Sequence, residues 1–522
     1  MNYADLFRVT LPETALEVAA LLVLVVDLGF LRKAALGLRT TSATVLGVLG
    51  CVAALWLMQG QGSMSVTADG TSGSLLLITG GYTAVAQVAV LVLTALTLLL
   101  LIGTTFTRHV GEFVAVVLMS ATGGLLICGA QDLLVIFTGL ELLSLGLYIL
   151  TAFAKSSGSS AEAAMKYYLF GGMSAAFLLF GFSYLYGLSG STNLHRVLLG
   201  LYGPHSIQVE PLLYVALVMI AAGLGFKVAA VPFHLWAPDT YEGAPAPAAA
   251  FIASVSKVAS FALLIGISTA AYHIFDGMHG GRVSVLVGSS SQNLPMYHDL
   301  VYHDFRMAWS QILIVLAVAS MVLGNLAALA QTSVRRLLAY SAIAHAGYIL
   351  LGLAFFSYSS QSARAILYYI LTYGLTTIGA FGAVAVVERA GGSDRMDAFL
   401  GLAKRNRLLA TVMMVLFLSL AGIPPLVGFW AKFNLFAAVL RVYPRGIGMG
   451  LVALAVAMSA VSLYYYLQVL KRVFVMSAVD ETPLKANTVT MGVLVLIALA
   501  VVALGCMPEL LQTWMAGFYA GM

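Results

Sequence analysis

The sequence predicts an all-α polytopic membrane protein of about fourteen transmembrane helices, ten of them arranged as two inverted five-helix repeats that each contain a proline-broken helix. Three observations predict it. The chain has 522 residues, is 61% hydrophobic and 9% charged, and has a mean hydropathy of +0.98, whereas a soluble domain carries about 25% charged residues. Apolar runs of about 20 residues, the length a helix needs to cross roughly 30 Å of hydrocarbon, recur along its whole length. Two of those runs are interrupted by proline at matching places in the series.

The runs begin near Leu11, Thr41, Tyr82, Glu112, Asp132, Glu162, Pro211, Ala246, Trp309, Arg335, Ala363, Leu408, Gly446 and Asn487. The first is not a cleaved leader, because Arg8 is its only preceding base and the run itself holds Glu13, Glu17 and Asp27. Those three acids fall within a wedge of about 80° on a helix, which turns them toward protein; a helix-end acid pair with a snorkelling Asp27 is the plainer alternative.

Orientation follows from the short loops. With the amino terminus outside, sixteen of the 26 Lys and Arg residues, Arg335 and Arg336 among them, fall on inside loops. Seven, including Arg364 and Arg441, fall outside. An even number of crossings returns the carboxyl terminus to the outside, so both termini are expected there, with a bacterial inner membrane as the host.

Runs four to eight and nine to thirteen read as two copies of one unit. Pro232 and Pro238 interrupt the seventh, and Pro424 with Pro425 the twelfth. Proline lacks the backbone donor and clashes with the preceding turn, so a break at membrane depth needs a cavity, water or a partner. An odd number of crossings per unit forces the second copy to enter from the opposite side. The expected organisation is residues 1–110 as three N-terminal helices, 111–272 as the first repeat, 273–308 as a polar outside loop, 309–475 as the second repeat and 476–522 as a C-terminal helix.

Four ionisable side chains, Glu141, Lys227, Lys257 and Lys432, lie deep in these runs. Each charge at the bilayer centre costs about 2.5 to 3.5 kcal/mol on insertion scales, which makes an ion or proton path the default reading. Glu141 lies about 14 Å into its run, near the midplane. Lys257 is similarly central, Lys227 is central if its run continues through Pro232, and Lys432 follows the second break. Desolvation drives a buried lysine toward neutrality and a nearby carboxylate draws it back, so such a group switches when a neighbouring charge moves. A static ion pair is the alternative for one Glu and one Lys. Three lysines and one carboxylate cannot be neutralised pairwise. His345, central in the tenth run, suits a relay between lysines, and His234 beside the first break is a further relay candidate.

Other chemistries lack a signal. Cys51, Cys128 and Cys506 are isolated in apolar surroundings and read as buried inert thiols, and there is no nucleotide loop, flavin fingerprint or haem motif. The expectation is no cofactor and no metal on this chain. The segment from Tyr272 to Met307 holds His273, His279, His298 and His303 with three Asp and an echoed YHD, but the spacing of five turns the last two His to different helical faces. An exposed outside loop is the favoured reading. The scattered bases argue against nucleic acid.

The runs PFHLWAPDTYEGAPAPAAAFIASVSK, RRLLAYSAIAHAGYI and GIPPLVGFWAKF, in that order, resemble the antiporter-like membrane subunits of proton-translocating NADH:quinone oxidoreductase, respiratory complex I, from about Glu112 to Phe474. Among the three sister subunits of that family the resemblance is to subunit N. Lys432 stands where subunit M would show glutamate, and the chain stops soon after the fourteenth run without the lateral helix of subunit L.

The resemblance implies that Glu141 and Lys227 are the glutamate and lysine of the fifth and seventh helices, Lys257 the connecting lysine of the eighth and Lys432 the terminal lysine of the twelfth. It implies a non-redox subunit of a translocase, driven by quinone reduction in other subunits. Those partners, which include the sister antiporter-like subunits, would hold NADH, FMN, iron–sulfur clusters and quinone. A multisubunit cation/proton antiporter, or the membrane arm of a ferredoxin- or hydrogenase-linked complex, shares the fold and the Glu and Lys set.

Overall fold

Without water at membrane depth an apolar run must satisfy its own backbone, and a helix does so. The computed structural model, which describes residues 3–60, 62–67, 75–201, 210–279, 295–356, 360–442, 446–477 and 482–519, is accordingly a bundle of long helices. Helix α1 (Tyr3–Val9) meets α2 (Leu11–Leu24) at a sharp bend of 68°, and α2 runs on into a π-helical turn, Val25–Phe30. Asp27, in that turn, does not snorkel. It is 1% exposed and takes both Nε and Nη2 of Arg39, at 2.7 and 2.6 Å, with the Gly111 amide at 3.2 Å.

Helix α3 (Leu36–Gln59) leads to a small antiparallel hairpin, β1 (Ser65–Thr67) with β2 (Leu75–Ile78), an addition to the expected all-α plan. Then follow α4 (Gly81–Leu99), α5 (Val110–Gly129), α6 (Leu133–Thr151), α7 (Gly158–Ser189) and the short α8 (Leu194–Gly200). Asp132 caps α6 by accepting the Leu134 amide, the role a short acceptor has at a helix start. Helices α5 and α6 pack backbone to backbone, since a Cβ on Gly123 would stand 2.5 Å from the Leu143 nitrogen.

The seventh expected crossing is α9 (Glu210–Val228), a non-helical stretch, and α10 (Trp236–Gly243). Pro232 lies in the break. Pro238 lies in the first turn of α10, where its missing donor would have had no helical partner, so it starts a helix and does not interrupt one. The eighth crossing is α11 (Ala246–Phe251), a π-helical turn (Ile252–Ser256) and α12 (Lys257–His279). Helix α13 (Pro295–Leu329) begins well before Trp309, so the two YHD triplets are helical and the segment expected as a loop over 273–308 is helical at both ends. Residues 280–294 of that loop lie outside the described residues.

Helices α14 (Val334–Ala354) and α15 (Ser360–Gly391) cross next, followed by a 3-10 turn (Met396–Phe399) and α16 (Leu402–Arg405). The twelfth crossing is divided into α17 (Arg407–Ala421) and α18 (Val427–Val442), and α19 (Ile447–Phe474), α20 (Thr488–Cys506) and α21 (Pro508–Tyr519) complete the chain. Twelve helical spans among the described residues are long and apolar enough to cross a bilayer, thirteen with the bent α1–α2 pair; the divided α17–α18, whose first half is a shorter apolar helix, stands where the remaining crossing was expected.

The spans containing α12 and α15 are each 94% buried and α14 is 89% buried, whereas α19 is 22% and α3 and α7 are 33% buried. The axis of the molecule therefore runs through α12, α14 and α15, with α3, α7 and α19 turned toward lipid or neighbouring chains.

Candidate functional site

Both divided crossings end their first half in the same way. At the end of α9 the Ala230 amide returns to the Gly225 carbonyl and the Ala229 amide to Phe226, with Ala229 at φ +59°. At the end of α17 the Ile423 amide returns to Leu418 and the Gly422 amide to Ser419, with Gly422 at φ +88°. Each is a Schellman cap with its left-handed residue three positions before a proline, Pro232 or Pro425. Pro424 lies inside the second break. The carbonyls freed in the first break are further used by Trp236, whose Nε1 donates to Phe226 O at 3.0 Å, and the Val231 amide donates to Ser320 Oγ at 2.9 Å.

Lys227 lies in the last turn of α9, where a cation faces the negative end of the helix dipole. It is 5% exposed, and its ammonium donates to Ser144 Oγ on α6, lying 6.0 Å from the Tyr148 ring and 5.5 Å from that of Phe226. The expected partner, Glu141, sits one turn before Ser144 on the same face, is only half-buried, and forms no ion pair with Lys227 among the described residues. The lysine is thus held by a hydroxyl and not by the carboxylate. Ser144 in turn donates to the Leu140 carbonyl. His234, in the break, is 6% exposed, and its Nδ1 has no hydrogen-bond partner.

Lys257 is the first residue after the π-helical turn of the eighth crossing, a wide turn of the kind found where a helix is adapted to a site. It is 2% exposed, donates to the Ala342 carbonyl of α14 at 2.7 Å and lies 5.9 Å from the centre of the Tyr373 ring. Lys432, 6% exposed, donates to the Ala421 carbonyl at 2.9 Å and to Ser459 Oγ at 2.8 Å, 5.5 Å from the Tyr348 ring. Ala421 is the last residue of α17, so Lys432 on the second half of this crossing caps the first.

His345 lies between these two lysines in the contact order. Its Nδ1 is 2.8 Å from the Tyr369 hydroxyl, its Nε2 is 3.4 Å from that of Tyr466, and Tyr466 also bonds Ser341. The imidazole is 5.0 Å from the Tyr373 ring, which Lys257 also faces, and 5.9 Å from the Tyr348 ring, which Lys432 also faces. Asn325 links Tyr348 to Tyr465. This tyrosine shell was not singled out from the sequence; its one signal was the spacing of Tyr369 and Tyr373, four apart on a single helix face.

A second group missed as a unit lies at one end of the bundle. Lys166 Nζ bonds Asp239 and Glu162 at 2.7 and 2.8 Å, and Arg336 bonds Asp239 and Glu242, each at 2.8 Å. Arg335 reaches Glu388 at 3.2 Å and the Ala244 carbonyl. Burial opposes ionisation of Asp239, but hydrogen bonds from Lys166 and Arg336 outweigh it and hold the carboxyl below its ordinary pKa.

Cys51 and Cys128 are buried, whereas Cys506, at the end of α20, is exposed, against the expectation for all three. Among the described residues no group of three His, Cys, Asp or Glu could hold a metal ion, and the side chains of residues 270–306 are outside what is described.

The family model for the NADH:quinone oxidoreductase/Mrp antiporter transmembrane region matches residues 130–293 and 281–462. NADH-quinone oxidoreductase subunit N 2 of Acidobacterium capsulatum is 46% identical, over 99% of each chain, and subunit N of Desulfovibrio desulfuricans is 37% identical, over 97% of this chain and 96% of that one. A chain of respiratory complex I from Thermus thermophilus with bound aureothin superposes with a TM-score of 0.73 at 30% identity, covering 96% of this chain and 98% of the other. A chain of the Mrp complex from Dietzia sp. DQ12-45-1b shares the fold, with a TM-score of 0.77 at 21% identity over 97% and 96%.

Proposed function

The chain belongs to the NADH:quinone oxidoreductase/Mrp antiporter family as an NADH-quinone oxidoreductase subunit N, and from that premise we propose that protons cross it through Glu141, Lys227, Lys257, His345 and Lys432. It works in the membrane arm of complex I beside its sister antiporter-like subunits. The chain itself carries out no redox step: NADH, FMN, iron–sulfur clusters and quinone act in partner subunits, and quinone reduction there drives the protons here.

The observation that carries this reading is the set of partners around the lysines. Each of the three ammonium groups ends on a neutral oxygen of a hydroxyl or a main-chain carbonyl. A lysine locked to a carboxylate is fixed in the charged form, whereas one held by neutral acceptors can occupy either state without leaving an unpaired carboxylate behind. In this reading His345, which shares a ring with Lys257 and another with Lys432, passes a proton between them through the hydroxyls of Tyr369 and Tyr466. Near the first break, the partnerless His234 Nδ1 and Tyr241 hydroxyl are buried polar atoms that water would satisfy.

We further read residues 111–272 and 309–475 as the two inverted units, flanked by 1–110 and 476–522, with 273–308 as the connection and both termini outside a bacterial inner membrane. The matching Schellman caps support that reading.

The test is His345→Gln in the assembled complex, which keeps a hydrogen-bonding side chain but removes the titrating ring. Proton transfer through this subunit should slow by roughly a hundredfold or more, so the proton-to-electron ratio falls while NADH-to-quinone electron flow persists. An unchanged ratio in fully assembled complex would remove His345 from the path.

A further inference from the structure

At the end of the bundle opposite Arg335 and Glu388, helices α15, α18 and α21 enclose a cavity of about 180 Å³. Its place follows from α15: Glu388, near the end of that helix, pairs with Arg335, and Arg364 lies 24 residues earlier, about 36 Å away along the axis. Arg364 and Arg441 both line the cavity, with Asn434, Gln512, Tyr368 and Phe433. Arg441 is in the last turn of α18, so the charged part of the cavity lies at the membrane boundary and its inner wall continues toward the hydrocarbon along Phe433, which is 52% exposed.

Two further observations bear on the occupant. Tyr368 is 1% exposed and its hydroxyl has no hydrogen-bond partner, a buried polar atom left for something else to satisfy. Helix α21 follows the last crossing with Leu510 61% and Trp514 40% exposed beside the polar Glu509 and Gln512, the make-up of a helix lying in the interface plane. Two guanidiniums favour phosphate through paired N–H donors, and an apolar wall below them favours acyl chains. A soluble anion would use only the first of these features.

We propose that this cavity binds the phosphate headgroup of an anionic phospholipid, held by Arg364 and Arg441 with its acyl chain along Phe433. The lipid would fasten α21 to the outer ends of α15 and α18, the helix that carries Lys432. It is separate from the proton path proposed above and stands or falls independently of it.

The experiment uses the assembled complex in detergent with a photoactivatable phosphatidylglycerol, reading lipid adducts on α18 and α21 peptides by mass spectrometry. Replacing both arginines (R364Q with R441Q) should reduce these adducts roughly tenfold, while R364K with R441K, which keeps the charge but not the paired donors, should give an intermediate yield. Unlabelled phosphatidylglycerol should compete, and phosphatidylcholine or inorganic phosphate at equal concentration should not. Equal labelling by a phosphatidylcholine probe, adducts indifferent to R364Q/R441Q, or displacement by inorganic phosphate but not by lipid would each overturn the proposal. So would the absence of adducts together with cross-linking of a cysteine at Phe433 to another subunit, because that result makes the face a subunit contact.

Discussion

Lys257 and Lys432 differ in what surrounds the ammonium. Lys257 donates to one carbonyl of a neighbouring helix, whereas Lys432 binds the carbonyl end of α17 and the Ser459 hydroxyl together. Arginine keeps its charge throughout, so Lys257→Arg should abolish transfer by a relay that needs the neutral state. Lys432→Arg should be partly tolerated if the cation there acts mainly as a fixed cap and gate. Proton-to-electron ratios of the two assembled variants decide this, and equal complete loss in both rules the division of roles out. Glu141 and Ser144 make a second contrast. With Ser144 holding Lys227 and Glu141 acting at longer range, Ser144→Ala should impair transfer directly, and Glu141→Gln should lower pumping through its lost charge without lowering assembly. A normal ratio in Glu141→Gln membranes of normal complex content would deny that carboxylate any switching role. The five proposed path residues were legible in the sequence because a charge or imidazole among apolar residues is conspicuous. Their partners were not, because Ser144, Ala342 and Ala421 are ordinary residues in ordinary helices. Only the packing of one helix on another turns a hydroxyl or a carbonyl toward a lysine.

Element by element, the two breaks are the features that give Lys227 and Lys432 their places, and both were visible as prolines. Their construction was not visible, because a Schellman cap is a backbone event that a proline three residues later only accompanies. Ala229 occupies the left-handed position in the first break at a cost of about 1 to 2 kcal/mol relative to a relaxed residue, which glycine would avoid. Gly422 occupies it in the second, and a Cβ there would stand 3.0 Å from Lys432 Cδ and 3.3 Å from Nζ. Gly422→Ala should therefore cost about 1 kcal/mol in backbone strain and also move the Lys432 ammonium, so pumping should fall more than thermal stability does. Ala229→Gly, with no added side chain, should leave pumping intact. If Gly422→Ala lowers stability and leaves the proton-to-electron ratio untouched, the cap is a packing device only. Pro424 and Pro425 replaced by alanine should likewise impair transport more than stability, because the freed backbone could then extend α17 across the space where Lys432 now reaches Ala421. The π-helical turn before Lys257 had no sequence signal at all; it is an accommodation made by helices that are almost wholly buried on every side.

At the scale of the whole molecule, Lys166, Asp239, Glu242, Arg335, Arg336 and Glu388 tie α7, α10, α14 and α15 together at one end of the bundle. Two of the helices so joined, α7 and α10, fall in the first unit that the sequence divides off and two, α14 and α15, in the second, and the link closes beside the first break through α10. From the sequence Lys166, Arg335 and Arg336 read only as inside-loop charges that set orientation, and the three acids carried no signal, since side chains up to 97 positions apart reveal a common partner only once the chain is folded. Asp239 is the hub, bonded by Lys166 on one oxygen and Arg336 on the other. Its carboxyl titrates below the ordinary value, because the two cations outweigh the effect of burial. A group with a depressed folded-state pKa contributes its full stabilisation above the unfolded carboxyl value, about 3.9, and loses it as pH falls through the lower folded value. Asp239→Asn should therefore lower the thermal stability of the assembled complex at pH 7. Acidification below about pH 4 should narrow the gap from the wild type, as the native carboxyl takes up the proton and loses its advantage over the amide. Thermal unfolding of both proteins across that range tests it. A gap of the same size at pH 7 and in acid would mean that Asp239 acts through shape and hydrogen bonding alone. If charge is what joins the ends of these helices, high salt should narrow the gap at pH 7 as well, though only partly, because the Asp239 side chain is 28% exposed and screened less than a free surface pair.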